Sequence, residues 1–341
     1  MRHAILGAGG VGLALGAALA RAGHEVVLVM RESSRTRYRG VIDVHSRLHG
    51  DLSAEARAVE RLDEPVDVLW VTVKAPALPA ALARVAPRLT PDSVVPLLNG
   101  LDHPRALRER FGARQLVGAI LIEAERTAPG RVTWNSLYAD ISLATTAAGT
   151  GTDARTVAGR GEGTEARDAE GTEARDGERR LARLAGLLAG AGLGCTPRRD
   201  PASVLWHKLV LLLPLALATT AADGPLGIVR RRPELAALLR DAAREACAVA
   251  AADTVVVDDR NLLHTLDTLP GRTDTSLHRD VTAGVRPTEL AALTEPVLRR
   301  ARDHGVSVPA LAELARRAAE QERRVEPPAP HRSIHRKGET S

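Results

Sequence analysis

The chain has 341 residues, enough for two domains that each bury a hydrophobic core. Its 47 Lys plus Arg are mixed with 42 Asp plus Glu, giving a net charge of +5, and aromatic residues make up only 2%. This composition argues against a nucleic-acid interface, which would interleave basic and aromatic side chains. The two cysteines, Cys195 and Cys247, provide neither a disulfide framework nor the spacing of a metal site, so no metal is predicted.

The N-terminal sequence is typical of a strand, a glycine-rich turn and a helix. Residues 2–7 (RHAILG) are predicted to form a buried strand, and the helix that follows ends near Gly23. The motif GAGGVG between them allows a tight turn and a close approach of a pyrophosphate to the helix N-terminus. The alternative is a turn that only packs the helix on the strand. We predict a dinucleotide site formed by Gly7, Gly9, Gly10, Val11 and Gly12.

The second predicted strand, residues 24–31 (HEVVLVMR), ends in Arg31. An acidic residue at this position would bind the ribose 2′-hydroxyl of NADH, whereas a guanidinium suits the 2′-phosphate of NADPH. Arg35 and Arg37 follow closely, so the sequence favours NADPH. Two alternatives are that Glu32 turns in and reverses the preference, and that these arginines are surface charges in an arginine-rich chain.

Further short apolar runs alternate with helical stretches and predict a parallel, doubly wound sheet. They cover residues 66–75 and 93–100, and the runs QLVGAILIEAE and ADISLATT are expected to complete the sheet. Lys74 and Asn99 follow two of these strands on the side where open α/β sheets bind ligands. We predict that both line the site, although an Asn-Gly pair is also a common turn.

The remaining sequence divides into an insertion, a helical region and a tail. Residues 148–179 contain a near-repeat, GTEARDAE then GTEARDGE, and this repeat has no large apolar residue. The range is predicted to be a disordered or loosely helical insertion. We predict a nucleotide-binding domain over 1–200, a helical domain over 201–324 and a disordered tail over 325–341. The apolar run 209–218 is shorter than a membrane span and contains Pro214, and no signal peptide is evident. We therefore expect a cytoplasmic protein without membrane contact.

Lysine is rare in this chain, and one lysine stands at the entrance of that apolar run. Of the 47 basic residues only Lys74, Lys208 and Lys337 are lysines. A compact, titratable amine differs chemically from a guanidinium that is always charged. Lys208 is then either a proton donor facing a site, or a surface lysine whose stem lies on apolar neighbours such as Trp206.

The motifs together resemble those of the ketopantoate reductase (2-dehydropantoate 2-reductase) family. They are the N-terminal GxGxxG, the strand before Lys74, the NG at Asn99, WHKL around Lys208, and the later segments SLHRDV…RPTE and RRARDHGVSVP. Their order and spacing match over nearly the whole chain, apart from the insertion and the tail.

The resemblance implies a Rossmann-type N-terminal domain, an all-α C-terminal domain, and NADPH-dependent reduction of a 2-oxo acid, as in pantothenate biosynthesis. It implies that Lys208 is the general acid and that Glu289 is its acidic partner, although a glutamate early in a helix is favourable without any such role. Ser276 would help to hold the substrate carboxylate, with Lys74 and Asn99 near the nicotinamide, and Arg31 would contact the 2′-phosphate. A homodimer is left open.

The chain departs from the family pattern where asparagines are expected. Leu212 and Ala216 occupy the two positions that follow Lys208 on its helix face. Thr273 stands at a further asparagine position, three residues before Ser276, and Thr294 with Glu295 stands where the family has a late Asn-Gly pair. A one-residue insertion lies near Val285. These departures raise two alternatives: a reductase for a less polar 2-oxo acid or ketone, and a non-catalytic NADP-binding protein.

Overall fold

The computed structural model describes residues 1–47, 49–146 and 163–326. The strands in these residues are β1 Arg2–Leu6, β2 Glu25–Val29, β3 Val41–Ser46, β4 Gly50–Glu55, β5 Arg57–Val59, β6 Val68–Val71, β7 Ser93–Pro96, β8 Leu116–Leu121, β9 Ala124–Ala128, β10 Arg131–Trp134, β11 Asp140–Thr145 and β12 Gly194–Pro197. The helices are α1 Gly10–Arg21, α2 Glu32–Arg35, α3 Leu78–Leu82, α4 His103–Phe111, α5 Gly163–Gly190, α6 Pro201–Ala222, α7 Leu226–Arg230, α8 Pro233–Ala252, α9 Asp259–Thr268, α10 Ser276–Thr282, α11 Leu290–Asp303 and α12 Pro309–Arg324.

The predicted parallel sheet is confirmed, in the order β5-β2-β1-β6-β7. Its central strands are buried on both faces, as expected for apolar runs covered by helices. The segment after β12 is helical up to Arg324, so the predicted all-α region is also confirmed.

The predicted continuation of this sheet is wrong. Strands β8 and β11 pair with each other in antiparallel register, from Leu116 with Thr145 to Leu121 with Asp140, and β12 completes a separate three-stranded sheet. A bridge between Val94 and Gln115 links this sheet to β7. Strand β8 forms its ladder with β11 along one edge, and toward β7 the pairing is limited to this single bridge, so the parallel ladder ends at β7.

A four-stranded sheet, in the order β4-β3-β10-β9, was not predicted. In β3 buried residues alternate with exposed polar ones such as Asp43 and His45, so the strand lacks the continuous apolar run used to locate the others. Helix α1 packs against this sheet as well as against β1 and β2. Because strands of both sheets cover α1, the helix is largely buried, and it is rich in alanine.

The chain forms two compact units. The first comprises residues 1–209 and 253–255, and the second comprises residues 210–252 with the described residues from 256 on. The division falls inside α6, beyond the boundary predicted at residue 200. Of the predicted insertion, residues 148–162 lie outside the described residues, and residues 163–179 belong to α5. Most of the predicted tail also lies outside them.

Helix α6 corrects the length argument against a membrane span. It runs for 22 residues through Pro214, and among the described residues it is the one helix long and apolar enough to cross a membrane. However, 72% of its most apolar stretch is buried inside the protein. Such burial is typical of a core helix, so a membrane span is not indicated.

Candidate active site

Strand register in the first unit places four predicted site residues along one edge of the parallel sheet. Leu6 pairs with Val29 on one side and with Val71 on the other, and Val71 pairs with Pro96. The segments after these strands therefore leave the sheet at the same carboxyl edge, where open α/β folds bind ligands. Their order along the edge is Arg31, Gly7, Lys74 and Asn99. Lys74 and Asn99 each lie three residues beyond a strand end, Lys74 exposed and Asn99 half-buried.

The glycine-rich turn has no room for side chains at two positions. A Cβ on Gly12 would lie 2.1 Å from the Gly7 carbonyl oxygen, and a Cβ on Gly10 would lie 2.1 Å from the Ala124 carbonyl oxygen. By contrast, a Cβ on Gly9 would meet nothing within 4 Å, so the backbone is open at the start of α1. No side chain caps this helix, which leaves its first N–H groups for a ligand.

Two neighbours hold the turn in place. The Thr72 hydroxyl donates to the Gly7 carbonyl at 2.7 Å, and half-buried Val11 packs against the apolar core of the first unit. A fixed turn with open backbone at a helix N-terminus fits the pyrophosphate of a dinucleotide. When bound there, such a cofactor would supply hydride chemistry to the adjacent edge of the sheet.

The arginines that follow β2 differ in their partners. Arg31 is exposed at the N-cap of α2, and Arg37 donates to the Ser33 carbonyl at 3.0 Å. In contrast, Arg35 forms an ion pair with Glu60 at 2.6 Å. Within the described part of the chain, no carboxylate forms an ion pair with Arg31 or Arg37, and Glu32 makes no ion pair with either. Arg35 is therefore a weaker candidate for an anion site than its two neighbours.

The sequence alone did not identify a third arginine at this position. Arg126 lies on β9, and its Nη1 approaches the Ser34 hydroxyl at 3.5 Å. Burial and the positive charges of Arg31 and Arg37 lower the pKa of Arg126. The contact between Ala124 and Gly10 brings β9 to the glycine-rich turn, which explains how a residue so distant in sequence reaches the end of β2. Arg31, Arg37 and Arg126, named here the arginine cluster, would accommodate a phosphate.

Lys208 lies half-buried on the part of α6 that belongs to the first unit. One turn earlier on the same face, Val204 packs against Val117 and Ala119 of β8. Trp206 is buried and donates its Nε1–H to Asp253 at 2.8 Å, which fixes this end of the helix. Trp206 thus has a structural role of its own in the first unit.

His103, which the sequence analysis did not identify, is also part of this region. It is the first residue of α4 and is only 5% exposed. Burial and the positive charge of Lys208 lower the pKa of His103 to about 4, against the opposing effect of Asp102. The imidazole is therefore neutral at physiological pH, next to the predicted general acid.

In the second unit, Glu289 is buried at 5% exposure directly before α11. Its side chain makes no capping hydrogen bond to that helix. The alternative of a merely favourable early-helix glutamate does not account for a buried carboxylate, since such a helix charge acts well at the surface.

Ser276 is exposed at the start of α10, and its neighbours fix that helix start. The Thr275 hydroxyl accepts from the His278 backbone N–H at 3.3 Å and shares a hydrogen bond of 2.9 Å with Thr219 of α6. The imidazole of His278 contacts Asp274 at 2.7 Å. These buried contacts were not predicted, because threonine and histidine carried no recognisable motif there.

The positions that depart from the family pattern offer few hydrogen-bond donors. Leu212 is half-buried and Ala216 is buried. One turn further along α6, the Thr220 hydroxyl donates to the Ala216 carbonyl at 2.7 Å. Likewise, the Thr294 hydroxyl donates to the Leu290 carbonyl at 2.8 Å. Both hydroxyls are thus used within their own helices.

A glycine-rich turn at the carboxyl edge of a parallel sheet, followed by a helical unit, is typical of a dinucleotide-binding protein. Comparison with known families narrows this class. The family models described as "Ketopantoate reductase PanE/ApbA" and "Ketopantoate reductase PanE/ApbA C terminal" match residues 3–147 and 202–322. The chain belongs to the ketopantoate reductase family.

Individual relatives agree with this assignment. The chain is 28% identical over 323 residues to 2-dehydropantoate 2-reductase of Halobacterium salinarum, covering 92% of this chain and 97% of the relative. The crystal structure of 2-dehydropantoate 2-reductase from Geobacter metallireducens has a TM-score of 0.77 at 24% identity, over 94% of this chain and 99% of that one. D-mandelate dehydrogenase with NADH and anilino(oxo)acetate has a TM-score of 0.75 at 18% identity, over 95% and 99%. These two structures support the fold.

Proposed function

We propose that this protein is a cytoplasmic enzyme that uses NADPH to reduce a 2-oxo acid to a 2-hydroxy acid, with ketopantoate as the leading substrate candidate. One observation carries this proposal. Lys208, a lysine in a chain whose basic residues are almost all arginine, is half-buried in the first unit beside His103, which begins the helix that follows Asn99. A titratable amine in such a place suits proton donation.

The proposed roles follow from the chemistry of each side chain. The cofactor would supply a hydride to the carbonyl carbon. The Lys208 ammonium then donates one proton to the carbonyl oxygen as negative charge develops, and the neutral amine regains a proton from solvent. Glu289 is assigned the role of acidic partner of Lys208, and Ser276 binds the substrate carboxylate. Lys74 and Asn99 orient the substrate and the nicotinamide.

The preference for NADPH is supported by the arginine cluster. Arg31 and Arg37 both repel Arg126, and no carboxylate among the described residues forms an ion pair with these three arginines. Such an arrangement favours a doubly charged phosphate over a ribose hydroxyl.

The decisive experiment measures NADPH consumption with a panel of 2-oxo acids, using ketopantoate, 2-oxo acids without a hydroxyl group, and aromatic 2-oxo acids. We expect turnover of at least one member and lower turnover with NADH. A protein that binds NADPH but turns over no member of the panel would instead be the non-catalytic alternative. The homodimer remains a prediction, which light scattering of the purified protein would test.

A second candidate is a reductase for a less polar 2-oxo acid. Leu212 and Ala216 cannot donate hydrogen bonds, and the hydroxyls of Thr220 and Thr294 are already used. A substrate hydroxyl left unpaired against such a surface would cost about 1–3 kcal/mol. The ligand named with D-mandelate dehydrogenase, anilino(oxo)acetate, has an oxo group next to its carboxylate and an aromatic ring, and it has no hydroxyl group.

Substitution of Leu212 separates the two candidates. If the less polar substrate is correct, Leu212→Asn should shift the ratio of kcat/KM values toward ketopantoate by about tenfold, or ~1.4 kcal/mol. Leu211→Asn is the matched control, since Leu211 is equally half-buried on the same helix but at another angle. A wild-type protein that already prefers ketopantoate strongly would eliminate the less polar candidate.

A further inference from the structure

His103 has an unusual environment for a histidine. The residue is only 5% exposed, yet neither Nδ1 nor Nε2 has a hydrogen-bond partner in the described part of the chain. A buried polar group without a partner costs about 1–3 kcal/mol. The unmet hydrogen-bonding capacity therefore indicates a partner in the working enzyme.

The local packing places this imidazole close to the path of Lys208. Strand β8 lies against the end of β7, since a Cβ on Gly118 would be 2.5 Å from the Pro96 carbonyl oxygen. Chain continuation from Pro96 leads through Asn99 to His103. Strand β8 also packs against Val204 of α6, and Lys208 follows Val204 by one turn on the same face of that helix. The two side chains thus approach the same end of β7 from two elements.

The charges around His103 agree with this placement. Among the described residues, the charged groups that act on its imidazole are Lys208, which disfavours protonation, and Asp102, which favours it. Burial adds to the effect of Lys208, so the ring remains neutral and keeps one nitrogen lone pair. A neutral imidazole next to an ammonium can accept a charge-assisted hydrogen bond.

We infer that His103 is a positioning residue for Lys208: its neutral ring accepts a hydrogen bond from the Lys208 ammonium and aims the remaining N–H groups at the substrate oxygen. Lys208 has a flexible four-carbon stem, and holding it in one geometry restricts the motion that would otherwise slow proton transfer. This inference rests on the proposed role of Lys208 as general acid.

The test uses the scarcity of lysine. Full-length protein labelled with ¹⁵N and ¹³C at lysine should give only three side-chain signals, because the chain contains only Lys74, Lys208 and Lys337. Lys208→Arg identifies the Lys208 signal by its loss. The measurement is the pH titration of that signal in wild type, His103→Leu and His103→Gln, alongside the dependence of kcat on pH. Leu107→Ala, a buried change on the same helix, controls for general disturbance of α4.

Removing the acceptor should destabilise the ammonium. In His103→Leu the titration midpoint of Lys208 should fall, on the order of one pH unit. The alkaline limb of the kcat profile should move with it, and kcat should fall tenfold to a hundredfold with little change in the KM for NADPH. His103→Gln retains an acceptor oxygen and should recover most of both properties, whereas Leu107→Ala should leave the Lys208 signal unchanged.

Several outcomes would overturn the inference. One is an unshifted Lys208 signal in His103→Leu, and another is a glutamine variant that behaves like the leucine variant. If His103→Leu does not fold, the ¹⁵N shifts of the wild-type imidazole provide the test. An acceptor nitrogen without a hydrogen bond has a distinct resonance, and finding that resonance for His103 would overturn the inference. Full turnover of Lys208→Ala would instead contradict the proposed function itself, so the two failures are distinguishable.

Discussion

The arginine cluster of the first unit and three arginines of the second unit have different surroundings. In the second unit Arg240 pairs with Asp267, Arg244 pairs with Asp241, and Arg317 contacts both Glu234 and Glu313. In the first unit the arginine cluster of Arg31, Arg37 and Arg126 has no carboxylate partner among the described residues, and Arg31 and Arg37 both repel Arg126. In a chain this rich in arginine, residue type alone does not separate a binding cation from a surface cation. Its partners do.

Histidines differ between the units in the same way. In the first unit, His3 and His103 are buried and neutral, and burial is the main cause that lowers the pKa of each to about 4. In the second unit, the hydrogen bond to Asp274 raises the pKa of His278. The arginine cluster and these two histidines of the first unit therefore lack charge compensation, although other arginines of that unit, such as Arg2 and Arg35, form ion pairs. Substitutions of these groups should change activity, acid stability, cofactor selectivity and the free energy of unfolding, in decreasing order of effect.

The largest effect is expected at Lys208. Lys208→Ala should lower kcat by 10²- to 10⁴-fold, the usual contribution of a general acid, on every substrate that the enzyme accepts. Affinity for NADPH, measured by fluorescence titration, should be nearly unchanged. Arg240→Ala, a change to a compensated cation of the second unit, is the control and should leave turnover unaffected. Wild-type turnover in Lys208→Ala would show that Lys208 is a surface lysine.

Acid should destabilise the first unit more than the second. A folded pKa of about 4 for His3 and His103, below the ordinary 6.5, means that the unfolded chain binds more protons between these values. Their contribution to stability is therefore complete above pH 6.5 and is lost as the pH falls toward 4. At pH 5 we expect a loss of about 2 kcal/mol for each histidine.

The sign is opposite for His278. Because its pKa is raised, its contribution is complete below pH 6.5 and is lost as the pH rises through the folded value. All three tryptophans lie in the first unit, so urea unfolding followed by tryptophan fluorescence reports on that unit. His103→Gln should remove the part of the loss that His103 causes, about 2 kcal/mol between pH 7.5 and 5. The same pH dependence in wild type and variant would contradict the assigned protonation state.

Cofactor selectivity is the next test of the contrast. Wild type should bind 2′,5′-ADP at least tenfold tighter than 5′-AMP, a difference of about 1.4 kcal/mol in calorimetry. Arg126→Gln should lose most of this preference, because the cluster contributes to binding only through the 2′-phosphate. Arg35→Gln is the matched control, since Arg35 already pairs with Glu60. Equal affinities for the two nucleotides in wild type would argue against NADPH, and an intact preference in Arg126→Gln would remove Arg126 from the site.

Some residues of the candidate site could be predicted from the sequence, and others could not. The placement of Gly7, Arg31, Lys74 and Asn99 at one edge of the sheet follows from strand and helix alternation, since parallel strands present their carboxyl ends together. Arg126 could not be found in this way. Its position depends on the unpredicted sheet that contains β9, and on the close contact between Ala124 and Gly10. Long-range packing of this kind leaves no local pattern.

His103 was missed for a related reason. A single histidine after an Asn-Gly pair is indistinguishable from a surface residue until its burial is known. The strand runs after β7 were recognised as apolar but assigned to the wrong sheet, because periodicity does not specify which strands pair. By contrast, the departures at Leu212 and Ala216 could be read directly, since residues four apart on one helix share a face.

The smallest expected effects are changes in the free energy of unfolding when single arginines are replaced. The change should be a loss for Arg240 of the second unit and zero or a small gain for Arg37 of the first unit. Arg240 joins α8 to α9 through an exposed pair with Asp267, so Arg240→Ala should cost about 0.5 kcal/mol, as for other surface ion pairs. Arg37→Ala removes a charge that repels Arg126 and should leave stability unchanged or raise it slightly. Urea unfolding, followed by fluorescence and by circular dichroism, would measure both at low salt and at 1 M salt. Screening should abolish both differences, because the Debye length falls to about 3 Å at 1 M salt. A loss of stability in Arg37→Ala as large as that in Arg240→Ala would mean that the cluster is compensated after all, and the contrast between the two units would fail.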